Sequence, residues 1–150
     1  MHRSLKLLLA AATLLPGTAG FAMTGADNGQ TAAGSDLLTE LGAGDYRTYC
    51  AACHGVAGKG DGTVAEFLTV AAADLTQLRK KNNGIFPRER VMAVIDGRDE
   101  VKVHGPRDMP VWGDWFSTEA AGGKTSAETR EATVAARVKS LTDYLETIQE

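Results

Sequence analysis

The chain has 150 residues, of which 43% are hydrophobic and 23% charged, with a formal net charge of −3. That length predicts a single domain with enough apolar side chain for one core. An acidic balance speaks against a nucleic-acid binder, which would ordinarily be basic.

The first residues read as a targeting segment. Arg3 and Lys6 give a basic start, and Leu7 to Leu15 is an apolar run too short to span a bilayer. Pro16 and Gly17 break the run, and Gly20-Phe21-Ala22 fits a small-x-small cleavage site. Residues 1–22 are therefore expected to be a signal peptide. No cysteine stands at the junction, which excludes a lipid anchor there. Cleavage would leave 14 of the 16 basic residues against 19 acidic ones, a net charge of −5. Residues 23–36 are small and polar and predict a flexible segment. The folded domain is expected over 37–150, with no internal repeat.

A first helix is predicted over 43–54. Gly42 and Tyr46 lie eight and four positions before Cys50, so they share a helix face. Glycine on such a face permits close approach of another helix, and an aromatic one turn on locks the contact.

That helix runs into Cys50-Ala51-Ala52-Cys53-His54, the C-x-x-C-H pattern of covalent c-type haem attachment. Each thiol can add across one porphyrin vinyl group to form a thioether. His54 can then supply an imidazole as the fifth iron ligand. A thioredoxin-like pair would want a βαβ context, and a tetrahedral zinc site would want a second ligand pair. The sequence offers neither. The motif uses both cysteines, so no disulfide is expected, and one haem c is the predicted cofactor.

Residues 55–73 begin with Gly55, Gly58, Gly60 and Gly62 and predict a tight loop over one haem edge. No Gly-Lys-Ser/Thr signature follows, so a phosphate cradle is poorly supported. Asp74 and Gln77 suggest a capping box for a short helix over 74–82, with Arg79, Lys80 and Lys81 in its last turn. Asn82, Asn83 and Gly84 stop it. Another helix is expected from Arg88 to Asp96, after Pro87 and before Gly97, with Val91, Met92, Val94 and Ile95 facing the core.

Residues 97–116 predict a structured loop and 117–124 a polar connector. The last helix should open on a Thr125/Glu128 capping box. It carries an apolar stripe of Val134, Val138, Leu141, Leu145 and Ile148, with Tyr144 beside it. The Gly42/Tyr46 face is its natural partner.

A sixth iron ligand could come from Met92, Met109 or His104. Met92 falls among core-facing helical residues and reads as packing. Met109 sits in a proline-bounded loop, Pro106 to Pro110, which can hold a thioether over the haem without a helix in the way. His104 is the rival, and bis-His ligation would lower the potential. Met is a soft ligand that favours Fe(II) and raises it. Trp112, Trp115 and Phe116 follow and read mainly as core. One of the indoles is also a candidate donor to a haem propionate.

With these residues in place, the sequence resembles the class I c-type cytochromes over nearly the whole mature chain. The likeness is carried by Cys50 to His54, by Gly42 and Tyr46, by Leu141 and Tyr144 in the terminal helix, and by Met109-Pro110. The resemblance implies an all-α cytochrome c fold. It would have three to five helices around one haem, crossing N- and C-terminal helices, His54 proximal and Met109 distal. It also implies export to the periplasm. Many relatives have a proline whose carbonyl accepts from the proximal histidine; here Ala71-Ala72-Ala73 stands in that stretch.

The function implied is single-electron transfer between redox proteins. The alternative is an electron-accepting subunit of a periplasmic dehydrogenase or oxidase. A gas-binding or peroxidatic protein would need an open sixth site, against which Met109 argues. Lys59, Arg79, Lys80, Lys81, Arg88 and Arg90 are candidates for a basic docking patch or, equally, scattered solvated charge.

Overall fold

The computed structural model describes residues 28–97, 109–123 and 125–150. The expected signal peptide, His104 and most of the loop before Met109 lie outside these residues. The described chain is all-α, with no strand. α1 (Asn28–Asp45) passes through a π-helical turn at Tyr46–Cys50 into α2 (Ala51–His54). Single turns of 3₁₀ helix follow at Ala65–Phe67 and Leu75–Gln77. Then come α3 (Leu78–Lys81), α4 (Arg88–Asp96), α5 (Trp112–Ala121) and α6 (Ala127–Thr147). Among the described residues no helix is long and apolar enough to cross a membrane.

α1 and α6 form the principal interface, as expected from the sequence. A Cβ built on Gly42 would lie 1.9 Å from the Ser140 carbonyl oxygen and 3.0 Å from the Leu141 nitrogen. Only glycine allows the two backbones to come this close. One turn on, Tyr46 is fully buried, and its ring meets Tyr144 at 5.1 Å between centroids. Val134, Val138, Leu141 and Leu145 are all buried along α6 and join Tyr46, Phe86, Val91, Ile95 and Phe116 in one core. α1 nevertheless starts at Asn28, well inside the segment expected to be flexible. Its packed C-terminal half removes the nucleation cost. Residues such as Ala32 and Ala33 then extend the helix at little expense.

α4 matches its predicted bounds. Val91 and Ile95 are buried, and Gly97 ends the helix at φ 93°, its N–H donating to the Ala93 carbonyl at 2.9 Å. Arg88 at its start is paired with Asp143 and Glu146 of α6. Asp74 caps as expected, accepting from the Thr76 N–H at 2.9 Å and its hydroxyl at 2.6 Å. Gln77 does not complete a capping box; its amide donates to Thr76 Oγ1 and Glu150. The α6 cap is also displaced by one residue. Ser126 accepts from the Thr129 N–H, while Thr125 donates back to the Ala120 carbonyl at the end of α5.

The largest departure is α5, which replaces the end of the expected loop and most of the expected connector. Pro110, Gly113 and the Gly122-Gly123 pair hide its period. Trp112 and Phe116 are nonetheless i,i+4 neighbours, and Phe116 is fully buried. Gly113 lets α5 press against the end of α4, where a Cβ would lie 1.9 Å from Asp96 Oδ1.

Candidate functional site

Cys50, Cys53 and His54 lie where the π-helical turn gives way to α2. The Ala51 N–H donates to the Tyr46 carbonyl five residues back, and π turns of this kind recur at functional sites. Both cysteines are free thiols, neither fully buried nor fully exposed. Burial, reinforced by Asp45 and Cys53, pushes the Cys50 thiol up to about 12, so at neutral pH it is held protonated.

His54 is buried at 8% exposure, and its Nδ1 stands 3.0 Å from the Ala73 carbonyl oxygen. A carbonyl only accepts, so Nδ1 carries the proton and Nε2 is the basic nitrogen. That is how an imidazole is oriented and made electron-rich for a metal. Of the three alanines open as acceptor, Ala73 is the one used.

The glycine loop is what brings Ala73 to this place. α2 ends with carbonyls that lack helical partners. The loop supplies them. Gly60 N–H donates to His54 O at 2.8 Å, Gly62 N–H to Cys53 O at 3.2 Å, and Val64 N–H to Ala52 O at 3.0 Å. Leu75 N–H then closes onto Gly58 O at 2.7 Å. Gly60 has φ 80°, and a Cβ there would lie 2.4 Å from the Ala72 carbonyl oxygen. Tyr46 ties the loop to α1, its hydroxyl donating to Gly55 O at 2.7 Å.

A cavity of about 350 Å³ opens beside His54. It is walled by Leu75, Leu78, Val91, Val94, Ile95, Leu141 and Leu145, and reaches Cys50, Met109 and Trp112. A smaller pocket of about 40 Å³ adjoins it, lined again by Cys50, His54, Met109 and Trp112, and by Cys53, Leu68, Val70 and Pro110. Cys50, His54 and Met109 thus line an apolar cavity of ligand-site size, and Cys53 lines the small pocket that shares those three residues with it. Lys81, Asn82 and Arg90 stand where the larger cavity meets solvent. Met92 packs against the core rather than lining either space.

Compared with protein-family profiles, with curated proteins and with solved structures, the chain has no match.

The donor chemistry can be tested on the site itself. Among the described residues no three His, Cys, Asp or Glu side chains gather as a metal cage, so a tetrahedral site on Cys50 and Cys53 finds no further ligands there. A flat apolar cofactor with an acidic edge suits the space better. It has apolar walls, two thiols one turn apart, a buried imidazole with an oriented tautomer, a thioether, and cations at the mouth.

An aromatic wall backs the site. Tyr49, Trp112 and Phe116 are mutually in contact, with centroids 5.5 to 5.9 Å apart. Trp115 is 54% exposed and its indole N–H donates to Glu119 at 3.1 Å, so of the two tryptophans only Trp112 lines the cavity. Among the candidate docking cations, Lys59 is paired with Glu150, Arg79 with Glu146, and Arg88 with Asp143 and Glu146. Lys80 and Lys81 are exposed.

Sequence reasoning missed Arg137 and Glu119, and left open which carbonyl of Ala71-Ala72-Ala73 faces His54. Arg137 lies beside Val138 of the apolar stripe, and nothing local marks its partners. The Ala73 carbonyl has no side-chain signature at all.

Proposed function

We propose that this chain is a periplasmic monohaem c-type cytochrome of the class I fold, carrying single electrons between redox proteins. One observation supports the reading above the others: Cys50, His54 and Met109 line one apolar cavity and Cys53 the pocket beside it, with His54 held through Nδ1 by the Ala73 carbonyl. Cys50 and Cys53 would hold haem through thioethers, and His54 and Met109 would supply nitrogen and sulfur ligands to its iron. Haem bound there would supply a one-electron iron centre cycling between ferric and ferrous.

The chain's own residues do the rest. The Ala73 carbonyl fixes the imidazole ring and raises its basicity. The aliphatic walls exclude water, which limits how far the surroundings reorganise when charge changes. Met109 supplies a soft sulfur that favours the reduced state. Lys81, Asn82 and Arg90 face the solvent edge, where the acid groups of haem would lie. Leader removal and thiol attachment belong to the same exported route, which gives the periplasmic assignment.

The test is the absorption spectrum of the exported protein beside Met109→Ala. The ferric wild type is expected to show the weak far-red band of a sulfur-bound iron, and the variant to lose it. A wild type without that band, whose ferrous form takes up carbon monoxide readily, would turn the reading toward gas binding.

A further inference from the structure

Met109 is separated from α5 by only Pro110 and Val111, so wherever α5 goes Met109 must follow. The near end of α5 is seated sterically on α4, through Val111 against Gly97 and Gly113 against Asp96. A second tie is made by a side chain of a third helix. Arg137 of α6 grips Asp45 with two donors, Nε and Nη2, each at 2.9 Å. Its third contact is Nη1 to Glu119 Oε2 of α5 at 2.6 Å. Its guanidinium carbon lies over the Phe116 ring, 3.8 Å from the centroid, and 5.3 Å from the centroid of Tyr49. Tyr49 donates to the same Glu119 carboxylate at 2.9 Å. Asp45 and Tyr49 stand on the turn that leads into Cys50, and Glu119 and Phe116 on the helix that follows Met109.

We propose that Arg137 is the positioning residue for the distal ligand, clamping the helix behind Met109 to the turn that carries the first cysteine. This rests on the reading of Met109 as an axial ligand. The planar fork is required. It satisfies two carboxylates with three separate donors while lying over an aromatic ring, which an ammonium cannot reproduce. Without it Asp45 and Glu119 become two anions around one aromatic cluster, and an attraction between α1 and α5 turns into a repulsion. Met109 would then leave the iron more often without any change at His54, Cys50 or Cys53.

The experiment is a titration of the ferric haem protein with imidazole, which must wait for Met109 to vacate its position. Apparent affinity scales with the fraction of molecules in the open state, so a tenfold rise in that fraction tightens binding about tenfold. Arg137→Gln is expected to tighten imidazole binding by about that factor, and Arg137→Lys to remain partly tightened because it lacks the fork. Val134→Ala is the control: it cuts a buried α6 side chain that does not line the cavity, and should lower thermal stability while leaving imidazole affinity alone. If Arg137→Gln fails to fold, Glu119→Gln removes only the α5 arm and should tighten binding in the same direction. Equal imidazole affinity in wild type and whichever of these variants folds overturns the clamp. Failure of the functional reading is distinguishable, because it shows beforehand as a protein without covalent haem or with a spectrum indifferent to Met109→Ala.

Discussion

The two sides of the cavity are built differently. On the His54 side, position is set by main-chain bonds. Three loop N–H groups, from Gly60, Gly62 and Val64, and the Ala73 carbonyl close around α2. On the Met109 side, the described fastening is by side chains drawn from helices far apart in the chain: Arg137, Glu119, Phe116 and Tyr49. A main-chain cage tolerates most side-chain exchanges but not a lost glycine. A side-chain clamp can be undone by one substitution. On the proposed function the difference would matter, with His54 a fixed ligand and Met109 one whose hold can be tuned.

The contrast can be broken hardest at Gly60. Gly60→Val places a branched side chain at φ 80° and against the Ala72 carbonyl. It should leave little folded protein, with haem attachment falling in parallel, as read by yield and pyridine haemochrome. A stable, fully loaded variant would show that the loop is not what fixes His54. Next is Phe116→Ala, which empties a fully buried ring site on the other side. It should cost about 3–5 kcal/mol in denaturant unfolding and weaken the Met109 spectrum while leaving both thioethers intact.

A smaller effect is expected from Tyr46→Phe, which removes the hydroxyl that binds Gly55 O and leaves a buried acceptor without that donor. About 1–3 kcal/mol should be lost, with the far-red band unchanged. Burial holds the Tyr46 phenol well above its ordinary value, so this bond stays protonated across the working range.

The mildest probe is acid. Asp74 is held below its ordinary value chiefly by the Thr76 hydroxyl, and Glu119 chiefly by Arg137 and then Tyr49. A depressed folded pKa stabilises fully above the unfolded value near 4 and is lost as pH falls through the folded one. Amide exchange at Thr76 and along α5 should therefore accelerate only below that point. Protection unchanged down to the global acid transition would show that neither carboxyl holds its segment.

How much of this was legible in the sequence follows the same division. The C-x-x-C-H run, the Gly42/Tyr46 face and the α6 stripe are local patterns, and the structure packs the last two against each other as their spacing pointed. Gly97 and Asp74 announce their ends of helices for the same reason. α5 reads as loop and connector because Pro110, Gly113, Gly122 and Gly123 surround or interrupt a ten-residue helix whose apolar period is too short to stand out. The Thr125 motif fits as well one residue on, at Ser126, and the Asp74 cap forms without help from Gln77.

The sequence by itself determined an all-helical chain, a first helix that closes on a last one, and the residues capable of holding a haem, because spacing along a helix is a property of the chain alone. Only the tertiary structure decided which carbonyl faces His54, where Met109 stands relative to it, and that Arg137 joins Asp45 to Glu119. Those relations span 19 to 92 positions. They are selected by what the packed helices bring within reach, and no local pattern records them.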